Sequence, residues 1–181
     1  MSALLLALVI TGGTFAYSYN TRSTNIVAVG KGGDFARVSL NTSINSTWAV
    51  FGNYRGSIPS GTLFNISTTS ANYTGDLVAT VYLANGDQLS HVYKVLGLFI
   101  EARYPRGQKV NINDDGVVDA KDYILLTLQN QSGHMYIRQT VPDTYTIMIQ
   151  SGYYISHRWS TGWPSGYQSP IIYCDVAPRP R

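Results

Sequence analysis

TNIVAVGKGGDFARVSL, residues 24–40, is the stretch on which the fold class turns. Residues 24–29 are rich in β-branched side chains, as strands are. Gly30-Lys31-Gly32-Gly33-Asp34 closes them with turn residues. Residues 35–40 then alternate, with Phe35, Arg37 and Ser39 on one side and Ala36, Val38 and Leu40 on the other. A period of two marks a strand with one buried face.

The same pattern continues outward. Further strands are expected at 46–51, 62–67, 76–83, 98–104, 123–128, 135–139, 145–150, 153–157 and 171–175. Residues 53–61 carry Gly56, Pro59 and Gly61 and read as a loop. Asn85-Gly86 is a strong hairpin-turn signal. One helix is expected over 88–96, because Leu89, Val92, Tyr93 and Leu96 fall at helical spacing, with Gly97 as its C-cap. Short strands and one short helix predict a mainly β fold, an antiparallel β-sandwich of Ig-like or jelly-roll-like type. No fixed period repeats, which excludes a solenoid. The expected organisation is an N-terminal segment, 1–23, a sandwich body, 24–176, with an insertion at 105–122, and a solvated tail, 177–181.

The chain of 181 residues is long enough for a substantial core. Only 13% of residues are charged, against about 25% in typical soluble domains. Tyrosine, serine, threonine and asparagine take their place, which suits an extracellular surface. The net charge of +3 is scattered, with no basic run, so nucleic-acid binding is not expected. A single cysteine, Cys174, excludes an internal disulfide and reads as a small buried strand residue. Asn41, Asn45, Asn65, Asn72 and Asn130 each begin an Asn-x-Ser/Thr sequon and are candidate N-glycan sites.

The insertion ends in the densest acidic patch, with four of the ten acidic residues between Asp114 and Asp122. Asn111, Asn113 and Asp115 stand at positions 1, 3 and 5 of a loop with Gly116 at the sharp turn. Val117 offers a carbonyl at 7, and Asp119 and Asp122 stand at 9 and 12. That is the oxygen-ligand layout of a calcium loop, with Asn for Asp at position 1 and Asp for Glu at position 12. Val118, at position 8, is expected to point into the core. Hard oxygen donors with no adjacent His or Cys favour Ca²⁺ over zinc. The run NINDDGVVDAKD resembles the dockerin-type calcium repeat. A dockerin uses two copies to bind its partner, so a single copy implies a structural ion.

Upstream, MSALLLALVITGGTFAY, residues 1–17, is the longest uncharged apolar stretch. Leu4, Leu5, Leu6, Leu8, Val9, Ile10 and Phe15 supply its apolar surface. It has the apolar core of a secretion signal and small residues at Gly13 and Ala16, but no charge before Arg22. A spanning helix needs about 20 apolar residues, and Gly12-Gly13 interrupts this one sooner. Three readings stand open: a removed signal, a membrane-held segment, and an assembly element buried by sister copies.

No GxSxG, HExxH or phosphate-binding glycine motif is present. His91, His134 and His157 are isolated in sequence, and Glu101, the only glutamate, has no carboxylate neighbour. The expectation is a chain without catalytic activity. Trp159, Trp163 and Tyr167 lie in a Gly/Pro-rich stretch that reads as a packed cover or, alternatively, a sugar platform.

Residues 6–35, LALVITGGTFAYSYNTRSTNIVAVGKGGDF, resemble the start of the camelysin/TasA family of secreted fibre proteins at Gly12-Gly13-Thr14-Phe15-Ala16. That resemblance implies a β-sandwich completed by a strand donated from a neighbouring subunit, with 24–29 as the donor. The apolar start also resembles archaeal-type, type IV-like pilins. There a retained N-terminal helix packs in the filament core, a glycosylated β-domain faces outward, and the membrane is met only before assembly. The unbroken run 3–10 leans helical. Both resemblances imply a homopolymeric extracellular filament, and a monomeric carbohydrate-binding module is the alternative.

Overall fold

The computed structural model describes residues 8–10, 14–16, 27–40, 55–157 and 170–179. The elements in chain order are β1 (Leu8–Ile10), β2 (Thr14–Ala16), β3 (Val27–Lys31), β4 (Arg37–Leu40), β5 (Arg55–Ile58), β6 (Gly61–Ser67), β7 (Leu77–Leu83), α1 (Gly86–Ser90), β8 (Tyr93–Arg103), β9 (Ile124–Thr127), β10 (Ser132–Ile137), β11 (Thr144–Ser156) and β12 (Ile171–Pro178). They form two sheets. The first runs β1-β2-β3-β12-β7-β10 and the second β4-β6-β11-β8-β9, with β5 also on β11.

This is the mainly β sandwich expected, with one short helix. Among the described residues the strand pairings are antiparallel except one: β3 lies parallel to β12, joining an N-terminal strand to the last one. The described part of the apolar start is extended, with Leu8–Ile10 and Thr14–Ala16 paired as a hairpin. β2 in turn pairs with β3. Residues 24–26, 46–51 and 159–167, with Asn41, Asn45, Leu4, Leu5 and Leu6, lie outside the described residues.

Alternation builds the body. In β7, Leu77, Ala79, Val81 and Leu83 are buried, while Val78, Thr80 and Tyr82 are only partly covered. β12 repeats this with Ile172, Cys174 and Val176. Cys174 is a core residue, as expected. Burial, reinforced by Asp175, pushes its thiol up to about 12, so it is inert at neutral pH.

Five local expectations are corrected. The helix is α1, five residues long, and 93–96 belong to β8. Gly97 caps nothing. It sits opposite Tyr153, where a side chain would meet the tyrosine ring at 2.4 Å, so the ring packs over bare backbone. Asn85-Gly86 starts α1 rather than a hairpin: Leu89 donates to the Asn85 carbonyl, and the Asn85 side chain accepts from the Ile171 amide. Arg55–Ile58, inside the expected loop, pairs with Gly152–Ile155 of β11, and β6 continues along the same edge after Pro59-Ser60. Residues 145–150 and 153–157 are one strand, β11, whose register slips between Ile149 and Ser151.

One end of the sandwich is tied by buried polar groups. Gln139, just past β10, donates to the carbonyls of Tyr73 and Gly75 at 3.2 and 2.8 Å. Its own oxygen accepts from Thr68 at 3.1 Å and from the Tyr145 hydroxyl at 3.2 Å. Burial, then Asp143, raises the Tyr145 pKa well above the usual phenol value, which keeps it a donor. Gln139→Ala removes a partner from four groups at once. It is expected to cost about 2 kcal/mol, because buried unpaired polar groups carry their desolvation penalty. Chemical denaturation would measure this, and a loss under about 0.5 kcal/mol would show that water replaces the amide.

Candidate metal centre

The insertion leaves β8 at Arg103 and turns at once. Tyr104 donates to the Gln108 carbonyl and Gly107 to that of Tyr104. Val110 then donates back to Ala102, and Val110 and Ile112 are buried. These two anchors hold the acidic loop against the body. Asp114 at φ 64° and Gly116 at φ 87° reverse the chain in the left-handed region. Glycine is favoured at 116 for that reason.

The six expected ligand positions lie along this turn. Asn111 accepts from the Asp114 amide at 3.0 Å. Asn113 accepts from the Asp115 amide and donates its own amide to Asp115 at 3.0 Å. Asp115 accepts from Val117, and Asp119 from Lys121. Asp122 is fully buried, with one carboxylate oxygen on the Ile112 amide at 2.9 Å and the other on the Asp119 amide at 2.8 Å.

The donor set is oxygen throughout, which fits a hard cation by its chemistry. The Asn113 amide must turn to present its oxygen, because its nitrogen faces Asp115. Among the described residues, no group of three or more His, Cys, Asp or Glu side chains converges. A site here would therefore depend on the amide and carbonyl oxygens too. Val118 is corrected: it is 56% exposed and Val117 is 58% exposed, while Ile112 supplies the inward apolar contact.

Asp114 was not among the expected ligands, and the structure gives it another role. It pairs with Arg138 at 2.5 Å and Arg179 at 2.6 Å. Arg179, expected in a solvated tail, also lies over the Tyr136 ring at 4.6 Å. The hydrogen bond to Arg179, then that to Arg138, lowers the Asp114 pKa. This tether thus contributes above the ordinary carboxylate pKa and is lost as pH falls through the lowered one.

Glu101 holds the other side. It is 1% exposed, accepts from Arg103 at 2.7 Å and has Lys109 at 3.6 Å. Lys109 also donates to the Asp119 carbonyl at 3.0 Å. The only glutamate therefore links β8 to the acidic loop through one lysine. Glu101→Gln is expected to cost about 2–3 kcal/mol, below the usual range for a broken buried pair because Arg103 can rehydrate. It should also raise amide exchange over residues 109–122. An unchanged exchange pattern would remove Glu101 as the anchor.

The other expected site residues are dispersed. Asn65 is mid-strand in β6, Asn72 is on the β6–β7 loop, and Asn130 is in the β9–β10 turn. His134 meets the Thr80 hydroxyl at 3.0 Å and His157 the Ser90 carbonyl at 3.1 Å. A feature missed in the sequence is an aromatic cluster on the second sheet. Phe99 lies 5.1 Å from Tyr123 and 6.1 Å from Tyr153, ring to ring. Both tyrosines are 39% exposed. All three residues fall in stretches expected as strands; what no local signal carried is that β8 lies between β11 and β9, which brings them together.

No family model and no curated protein matches this chain. Among solved structures, the CBM22-1 xylan-binding domain from Paenibacillus barcinonensis Xyn10C is similar over 67% of this chain and 80% of that one, at 14% identity and a TM-score of 0.17. An overlap that slight transfers neither fold nor ligand. Among the described residues, no helix is long and apolar enough to cross a membrane.

Proposed function

We propose that this chain is a non-enzymatic subunit of an extracellular filament, joined to its neighbours through its N-terminal segment and stiffened by Ca²⁺ in the acidic loop. One observation supports the reading: the N-terminal strands form one edge of the first sheet. β3 is held by β12 and by the turn at 32–36, where Ala36 donates to the Gly33 carbonyl. Beyond it, β1 and β2 contribute only three residues each. A three-residue strand is a weak partner for its own sheet, and an open edge accepts a strand from another copy equally well. Such a contact is head-to-tail and builds open filaments.

The donated part is therefore residues 1–16 rather than 24–29, whose last three residues are fixed in β3. Low charge, a tyrosine-rich surface and the sequons support an extracellular setting. Removal of residues 1–22, scored by negative-stain microscopy, tests the reading.

A second reading, a secreted or surface-anchored carbohydrate-binding module, draws support from the Phe99, Tyr123 and Tyr153 face, since exposed rings stack on sugars. The same deletion separates the two, because a binding module keeps its ligand without residues 1–22.

A further inference from the structure

We propose that Asn72 is the N-glycan acceptor of the described body, and that the folded chain refuses its other two described sequons, Asn65 and Asn130. The inference rests on the reading of the chain as exported.

Transfer has plain chemical requirements. The Asn amide nitrogen attacks the anomeric carbon of a lipid-pyrophosphate-linked sugar. A C–N bond forms, the C–O bond to the pyrophosphate breaks, the lipid pyrophosphate leaves, and the amide proton passes to a base of the transferase. The enzyme must hold that nitrogen and the hydroxyl two residues on at the same time. Both must be reachable and free of competing bonds.

Asn72 meets these conditions. It is exposed, sits in the left-handed region at φ 50°, and its side chain has no hydrogen-bond partner among the described residues. Thr74, its hydroxyl partner, is also exposed. The turn is held from behind, since the Asn72 and Tyr73 amides donate to the carbonyls of Thr69 and Thr68. Beside it opens a polar cleft of about 720 Å³ walled by Tyr73, Asp76, Arg138 and Arg179. That space admits the first sugars of a glycan and lines them with hydrogen-bonding groups.

The other two fail on bonding. The Asn130 nitrogen, the atom that would react, donates to the Leu125 carbonyl at 3.0 Å, and Ser132 is paired in β10. Asn65 lies between β4 and β11, paired with Ser39 and Thr146. Its oxygen accepts from the Thr146 hydroxyl at 3.1 Å. Its Ser67 partner bonds Thr69 and Thr144 at 2.8 and 3.1 Å. Modification at Asn65 requires local unfolding, and at the exposed Asn130 the reacting nitrogen must first give up its bond to Leu125; both steps suppress the rate.

The test uses a purified oligosaccharyltransferase and lipid-linked sugar, chosen because they modify a free peptide of residues 68–78. The folded protein is then treated and site occupancy is read by glycopeptide mass spectrometry. Asn72 should be modified at least about tenfold faster than Asn65 or Asn130, a factor equivalent to about 1.4 kcal/mol of opening. In the urea-unfolded chain that preference should vanish. Asn72→Gln should lose the modification without redirecting it to Asn65. Equal or faster transfer to Asn65 or Asn130, or no transfer to Asn72 in the folded protein, overturns the proposal. Filament assembly is scored on the same material by microscopy, so unglycosylated filaments would sink the site and leave the filament reading standing.

Discussion

A chain beginning at Ser23 should fold and yet form no filament under conditions where the full chain assembles. The cut removes β1 and β2 and spares β3, whose Ala28 is 2% exposed and belongs to the core. All five β3–β12 pairs, from Val27 to Lys31, stay in place. What is lost is the set of pairs Thr14–Lys31, Phe15–Gly30 and Ala16–Val29, the strand that a neighbour would supply. Circular dichroism and thermal unfolding should show an intact β-body, while microscopy and sedimentation should show monomers. Phe15→Pro is the finer variant, because proline removes a ladder donor and is poorly tolerated inside a sheet. It should raise the concentration needed for assembly at least about tenfold, as the loss of roughly 1.4 kcal/mol per contact implies. A peptide of residues 1–22 added in trans should inhibit assembly by occupying the same edge. Normal filaments from the truncated chain would end the proposal.

The body behind that edge was legible wherever a single rule governed a strand. β7 shows clean alternation through Leu77, Ala79, Val81 and Leu83, and so it was readable. β8 was not, because two effects coincide there. The register slips where Ile155 pairs with Val95 and Ser156 with Tyr93, leaving Lys94 as an extra residue. That shift lets Tyr93 and Leu96, three apart in sequence, both be buried, which imitates a helix together with Leu89 of α1. Gly97 completed the imitation, although its role is to pass under the Tyr153 ring. The loop spacing could be read from 111 to 122, because its chemistry is local. The burial of Asp122 and Glu101 could not, because it depends on the chain folding back to bring the Ile112 amide to Asp122 and Lys109 to Glu101. Val118 was misplaced for a related reason: Ile112 already fills the inward position. The parallel β3–β12 pair joins the two ends of the described body, and no short-range signal reports such a contact.

Asp115→Ala and Asp122→Ala should separate metal binding from loop structure. Asp115 is exposed, and its only described bonds are to Val117 and Asn113 within the turn. Asp122 is fully buried and is the described acceptor for both the Ile112 and Asp119 amides. For a calcium module working outside cells, affinities of about 10⁻⁴ to 10⁻³ M are usual. With a Kd of about 10⁻⁴ M, about 10 mM Ca²⁺ adds roughly 2.7 kcal/mol by mass action. In a domain of this size that raises Tm by roughly 5–10 °C relative to EGTA. Asp115→Ala should abolish this calcium-dependent gain and leave the EGTA value within about 2 °C, since an exposed turn residue contributes little to the fold. Asp122→Ala should destabilise the fold even in EGTA, by about 3–5 kcal/mol, because two buried amides lose a charged acceptor. Calorimetry of the three chains with and without Ca²⁺ reads all of this. If EGTA leaves the unmutated chain unchanged, the loop holds no calcium, and Asp122 is then a purely structural acid that fastens residues 112–119 to the sandwich.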